Sequence, residues 1–312
     1  MPFFQPSYIR LYETGELSKR IDTLNRMLED CRLCPRDCRV NRIQGEKGVC
    51  RVGALPTVSS FHSHFGEEKP LVGHYGSGTI FLTYCNLKCL FCQNYDISHL
   101  GEGKEVSVEE LGAMMVSLMR QGCHNINFVT STHQTAQIVS ALPYAIENGL
   151  EIPLVYNCGG YESVETIRLL DGIFDIYMPD FKYGNNAAAK ELSAAPDYVE
   201  TAKVAIKEMH RQVGDLKMDK KRGIAERGLL VRHLVLPDGL AGTREVIRFI
   251  AKEISKNTYV NIMDQYRPCY NAFERPPMDR RITGEEFEEA VRIAREEGLV
   301  RLDGFVQPEP KY

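Results

Sequence analysis

Apolar residues return every three or four positions through "ELSKRIDTLNRMLED" (16–30), at Leu17, Ile21, Leu24 and Leu28, which predicts a helix. Between 51 and 78 no such period holds; Gly, Pro, Ser and His break up the chain and predict short strands and turns. From residue 79 the pattern becomes regular. "TIFLTY" (79–84), "NINFVT" (125–130), "IPLVYN" (152–157), "IFDIYM" (173–178), "LLVRHLVL" (229–236) and "YVNIM" (259–263) predict strands, with "VRLDGF" (300–305) at an edge. Helical periods separate them. "SVEELGAMMVSLMRQG" opens with a capping box, Ser107 and Glu110, and "TGEEFEEAVRIAREEG" with another, Thr283 and Glu286. "HQTAQIVSALPYAIENG" is expected to bend or break near Pro143, and further helices to cover 162–170, 186–210 and 242–255.

Strands alternating with helices imply βαβ units and a parallel sheet, an α/β architecture. Six strand–helix pairs are too few for an eight-fold barrel and suit an open, partial (β/α)6 TIM-like one, in which chemistry gathers at the C-terminal ends of strands. Cys85, Ser131, Asn157 and Asp180 all fall at such ends. The expected organisation is a Cys-rich N-terminal module over 1–75, then the barrel with a C-terminal extension over 76–312.

A chain of 312 residues with 43% hydrophobic and 26% charged residues has material for a large core and an ordinary polar surface. Its net charge of -4 argues against a mainly electrostatic nucleic-acid binder. No apolar run has the length of a membrane span, and "MPFFQPSYIRLYETGELSKR" has no apolar signal core, so the expected compartment is the cytoplasm.

In a reducing compartment ten cysteines ask for a reason, and seven of them form two tight groups. Cys31, Cys34, Cys38 and Cys50 make a complete four-thiol set, fit for structural zinc or a coordinatively full iron–sulfur cluster. Spacing does not decide between them, although the x2 knuckle and the Gly-flanked last cysteine resemble zinc-ribbon usage. Cys85, Cys89 and Cys92 stand in "YCNLKCLFCQNY", spaced C-x3-C-x2-C. Three thiolates on one loop suit a [4Fe–4S] cluster with one iron left open; the alternative is zinc with His99 or a distant residue as fourth ligand. Cys123, Cys158 and Cys269 read as small buried hydrophobes, and the histidines of "FHSHF" and His74 as surface or core residues.

"CNLKCLFC" resembles the signature of radical S-adenosylmethionine (SAM) enzymes, including the aromatic Phe91 before the last cysteine. Within them the chain looks most like the activating enzymes of glycyl-radical proteins, such as that of pyruvate formate-lyase, and their PflX-like relatives. "CQNYDIS" and "RHLVLP" resemble segments of that group, and "CRLCPRDCRVNRIQGEKGVC" the leader of the PflX-like branch. The resemblance implies the partial barrel of the radical SAM type. It also implies a [4Fe–4S] cluster, SAM chelated at the open iron, an electron donor such as flavodoxin or ferredoxin, and reductive cleavage of SAM to a 5′-deoxyadenosyl radical that abstracts hydrogen. The substrate is a protein or peptide if the likeness to activases holds, and a small molecule otherwise. The competing reading is a metal or iron–sulfur protein with a structural or electron-transfer role and no SAM cleavage.

The resemblance carries over to strand ends with departures. "VTSTHQ" (129–134) occupies the place of a glycine-rich SAM-binding turn but lacks the glycines, so Ser131 and Thr132 either contact SAM or merely cap a βα loop. "NCGGY", with Asn157, resembles the turn that approaches the SAM ribose and a monovalent cation; "MPDFK" matches a pattern that places Asp180 near the cation and Lys182 near SAM. In "LLVRHLVLP" only one of Arg232 and His233 can face the barrel interior. Both are candidates for the cofactor side, Arg232 with a SAM or substrate carboxylate as its partner; the alternative pairs Arg232 with a core carboxylate and leaves His233 hydrogen-bonded in the core. Asn261, Gln265, Tyr266 and Arg267 are placed on the substrate side.

Overall fold

The computed structural model describes residues 4–304. Helices α1 (Ser7–Glu13) and α2 (Glu16–Arg26) lead the chain, with Leu17, Leu24 and Leu28 buried as their spacing requires. After the first cysteine group, β1 (Thr57–His64) reaches β2 (Ser77–Leu82) through the short helix α3 (Lys69–Val72) and pairs with it antiparallel. β3 (Lys104–Glu105) pairs along the other edge of β1. The alternation follows: α4 (Val108–Arg120), β4 (Ile126–Val129), α5 (Thr135–Glu147), β5 (Leu154–Cys158), α6 (Val164–Leu169) and β6 (Ile176–Pro179). Next come α7 (Asn186–Ser193), α8 (Tyr198–Val213), β7 (Lys217–Asp219), β8 (Ile224–Leu234), α9 (Thr243–Phe249), β9 (Tyr259–Met263), α10 (Gly284–Glu296) and β10 (Arg301–Leu302).

The strands lie in the order β10-β9-β8-β6-β5-β4-β2-β1-β3, parallel from β2 to β10, with β7 in a hairpin on β8. Among the described residues the sheet therefore has two free ends, as an open partial barrel must. Both capping boxes form: Ser107 and Glu110 open α4, and Thr283 and Glu286 open α10. The edge strand expected over 300–305 is the two-residue β10; residue 305 lies outside the described residues.

Three elements differ from the pattern. Helix α5 runs through Pro143, because buried side chains on both sides of it, from Ile138 to Ala145, hold its turns against the core. The helix expected over 186–210 is two helices. Ala194 turns left-handed (φ 52°) and Pro196 bars continuation, so α7 stops at Ser193 and α8 restarts at Tyr198. β8 begins five residues before 229, where its antiparallel pairing with β7 sets the start.

Alternation along the strands sorts residues to two faces. Tyr156, Tyr177, Leu229 and Val231 pack outward in the main core with the helices. Val155, Ile176, Met178 and Leu230 point the other way, into a second cluster with Leu71 of α3 and Leu216. The lower barrel is thus filled by apolar side chains and the α3 connection, which leaves its space at the C-terminal strand ends.

Just beyond β5, the Glu162 carboxylate is buried and accepts hydrogen bonds from Thr132 Oγ1 (2.6 Å) and the Tyr156 hydroxyl (2.9 Å). Burial pushes its pKa up to about 7 despite those bonds. Between an ordinary 4.5 and 7 the folded chain therefore keeps a proton that the unfolded chain has released, and stability falls as pH rises through that window. Urea melts at pH 5.5 and 7.5 are expected to show Glu162→Gln losing this slope, about 2 kcal/mol between those two pH values. A smaller slope from buried Asp175, pushed up to about 6, should remain.

Candidate active site

β2 ends at Leu82, and the next carbonyl, Thr83, lies 2.8 Å from His133 Nε2 and accepts from Gln134 Nε2 at 3.0 Å. Tyr84 turns left-handed (φ 68°) and starts the cysteine loop. Cys85 Sγ accepts from the Leu87 N–H (3.3 Å), Ser193 Oγ donates to Cys89 Sγ (2.9 Å), and Cys92 Sγ lies 3.1 Å from Ser98 Oγ. The break after α7 makes this possible: its last carbonyls, Leu192 and Ser193, accept from the N–H groups of Leu90 and Lys88. All three thiols are free of disulfides. Burial pushes the Cys85 thiol up to about 12, a cost that a bound metal removes by taking the thiolate.

Cys89 and Cys92 open onto a cavity of about 500 Å³ at the C-terminal strand ends. Across it stand Asn157, Asp180, Lys182 and Arg232. Arg232 Nε donates to Asp180 Oδ1 (2.7 Å), its Nη2 donates to Asn157 Oδ1 (2.8 Å), and Lys182 Nζ donates to Asp180 Oδ2. Burial alone would raise the Asp180 pKa, yet Arg232 and Lys182 outweigh it and hold the carboxyl below its usual range. Both carboxylate oxygens are therefore engaged. Behind this wall Gly160 (φ 79°) comes so close to the Asp180 carbonyl that a Cβ would stand 2.2 Å from it, and the Tyr198 hydroxyl lies 2.8 Å from both the Gly159 and Asp180 carbonyls. The paired glycines serve a close approach of two strand ends.

Other residues singled out by sequence lie elsewhere. Ser131 Oγ donates to the Phe128 and Asn157 carbonyls and Thr132 Oγ1 to Glu162, all away from the cavity lining. His233 faces outward: Nδ1 lies 2.7 Å from the Phe181 carbonyl and Nε2 2.9 Å from Thr243 Oγ1, with its pKa lowered by burial to about 4. His99 Nε2 sits 3.0 Å from the Cys89 carbonyl and its ring stacks on Tyr270. Asn261 and Gln265 line the cavity, whereas Tyr266 packs edge-on against Phe91, its hydroxyl donating to the Met278 carbonyl. Glu67 and Glu68 also line the cavity, although nothing in the sequence pattern marks them. These enter from the β1–α3 turn and bring carboxylate oxygens to 3.7 Å from Arg232 Nη1. Burial, with Glu68 alongside, moves Glu67 up to about 7 against the pull of Arg232. Two adjacent acids in an irregular segment gave no periodic signal that they turn inward.

The sequence profile of the radical SAM superfamily matches residues 79–218. The uncharacterized protein MJ0674 of Methanocaldococcus jannaschii is 35% identical over 293 residues, covering 91% of this chain and 79% of that one. The chain belongs to the radical SAM superfamily. A second uncharacterized protein of that organism, MJ0808, is 27% identical, covering 86% of this chain and 78% of its own. A radical SAM methyltransferase from Sphaerobacter thermophilus shares the fold at a TM-score of 0.50 and 18% identity, over 72% of this chain and 65% of that chain.

A radical SAM protein carries a [4Fe–4S] cluster and binds SAM, and the residues present suit both. Three free thiols on one loop, with hydroxyl and N–H groups set to bond sulfur, match a cluster with one unligated iron. The cavity beside them offers cationic donors for a carboxylate and a carboxylate for an amino group. Among the described residues no set of three His, Cys, Asp or Glu side chains is gathered tightly enough for a single ion, and the sulfurs of a cube stand farther apart than that.

Asp180 is the electrostatic centre of the cavity wall. Asp180→Asn leaves Lys182 without its counter-ion and Arg232 with only the more distant Glu67 and Glu68 at 3.7 Å, so urea denaturation is expected to show a loss of about 3–5 kcal/mol. A loss below about 1 kcal/mol, the worth of an exposed pair, would mean that the triad is solvated.

Proposed function

We propose that this chain is an activase-like radical SAM enzyme of the cytoplasm, which takes electrons from a flavodoxin- or ferredoxin-type donor and abstracts hydrogen from a protein or peptide. One observation supports the reading above all. Cys89 and Cys92 share a single cavity with Asn157, Asp180, Lys182 and Arg232, so a cofactor chelated at the cluster has partners for its charged end within the same space.

When bound and reduced, the cluster supplies the electron that cleaves SAM to methionine and a 5′-deoxyadenosyl radical. Cys85, Cys89 and Cys92 would hold it. Lys182 and Arg232 would orient the methionyl carboxylate, and Asp180, kept ionised between them, would accept from the amino group. Asn157 is already fixed by Arg232 and presents its amide to the same space. Phe91, Phe81 and Val129 add apolar wall that keeps water from the reacting centre. Asn261, Gln265, Glu67 and Glu68 line the remainder, where a substrate side chain would enter. The activase-like part rests on the likeness of "CQNYDIS", "MPDFK" and "RHLVLP" to that group.

The anaerobically reconstituted and reduced chain is expected to release 5′-deoxyadenosine from SAM, and Cys89→Ala to abolish that release. A reduced, cluster-loaded chain that leaves SAM intact would favour the structural or electron-transfer reading. With a glycyl-radical protein added, an activase-like enzyme should give the doublet of a glycyl radical by electron paramagnetic resonance. Cleavage of SAM without that doublet would turn the reading toward a small-molecule substrate.

A further inference from the structure

Arg42 is among the largest fully buried side chains of the molecule, at 1% exposure. Its Nε and Nη2 donate to the Gly53 carbonyl (3.0 and 2.8 Å) and its Nη1 to the His133 carbonyl (2.9 Å). The Nη1 atom also lies 3.9 Å from Cys31 Sγ. Among the described residues no carboxylate lies within ion-pair reach of it. A guanidinium keeps its proton at any ordinary pH, and a buried cation with only neutral partners is strongly unfavourable. An anion belongs beside it.

The residues around it show where that anion comes from. Cys31, Cys34, Cys38 and Cys50 line one enclosed cavity together with Arg42. The cavity is only about 10 Å³, room for one water-sized sphere. The Val49 N–H donates to Cys38 Sγ (3.4 Å), a bond suited to a sulfur that carries charge. Gly48 is required there, since a Cβ would stand 2.8 Å from Cys38 Sγ. Four protonated thiols, or two disulfides, bring no charge to Arg42. Four thiolates around a zinc ion, or around an oxidised [4Fe–4S] core, leave a net double negative charge.

We propose that Cys31, Cys34, Cys38 and Cys50 ligate a metal centre as four thiolates and that Arg42 is the buried counter-charge of that centre. An all-cysteine iron–sulfur cluster suits sulfurs that are not gathered around a single ion, whereas zinc, alike in ligands and in charge, would need the four thiols to close in on it. The site is separate from the three-cysteine loop but is tied to it. Arg42 holds the His133 carbonyl while the His133 ring lies against the Thr83 carbonyl, just before Cys85. Arg36, between two of the four cysteines, donates to the carbonyls of Asn86, Ser193 and Ala194, and Ser193 in turn donates to Cys89 Sγ. Arg42 is a positioning residue and touches no reacting atom.

The test uses the full chain with the other centre silenced by Cys85→Ala, Cys89→Ala and Cys92→Ala together. Elemental analysis of this chain, purified without oxygen, is expected to find one zinc per chain, or iron with matching acid-labile sulfide. Adding Cys34→Ala should remove it. A folded chain with neither metal overturns the proposal, as does metal that survives Cys34→Ala with Cys50→Ala. In the same background Arg42→Gln should speed loss of the metal to a chelator by about 10–100-fold, the usual effect of removing a group that supports metal ligands. Arg42→Lys, which keeps the charge, should release it much more slowly than Arg42→Gln. If Arg42→Gln holds the metal as well as the parent, or Arg42→Lys loses it just as fast as Arg42→Gln, Arg42 is not the counter-charge. Should both variants fail to fold, the elemental analysis of the chain with Arg42 intact still decides whether the four thiols hold metal.

Discussion

A carboxylate taken out of water is stable only where cations surround it, and at the end of β6 Asp180 sits between Lys182 and Arg232. Three strands are committed by that arrangement. Arg232 reaches from β8 to Asp180 after β6 and to Asn157 on β5, so the sheet must bring these ends into register, and it does. The glycine pair after β5 lets its backbone close on the Asp180 carbonyl, and Tyr198 at the start of α8 lies over both. The cavity wall opposite the cysteine loop is therefore charged and cross-linked by its own ion pairs and hydrogen bonds, which lowers the cost of binding a zwitterionic ligand.

Much of this was legible in the chain itself. The three cysteines are local, within eight residues, so their spacing reports their chemistry without knowledge of the fold. The central strands β5 and β6 were visible because they are buried on both faces and read as short apolar runs, and β9 because its buried residues alternate with half-buried ones before Met263. Arg232 and His233 show the value of strand alternation: one faces the cavity and the other the helix layer, as adjacent strand residues must.

The rest was hidden for physical reasons. Glu67 and Glu68 reach the cavity through a turn with no period, and only tertiary packing of Leu71 into the barrel sets their direction. Ser131 and Thr132 follow β4 as expected, but nearby carbonyls and Glu162 capture their hydroxyls. Pro196 was the available signal for the break between α7 and α8, and that break delivers Ser193 to Cys89. Arg42 stands amid the charged surface residues of the leader and gives no hint from sequence that it alone there is sealed from water.

The two sulfur-rich regions are far apart in role but joined by short bonded paths through Arg36 and through Arg42 and His133. The account as a whole depends on what occupies the space between Cys89, Cys92 and the Asp180 wall. A crystal grown without oxygen from iron-loaded protein and SAM tests it directly. It should show three cysteine sulfurs on an iron–sulfur cube whose fourth iron meets the methionyl end of SAM, with Lys182 and Arg232 beside it. A protein side chain on that iron, or a lone zinc ion among the three sulfurs, would contradict it.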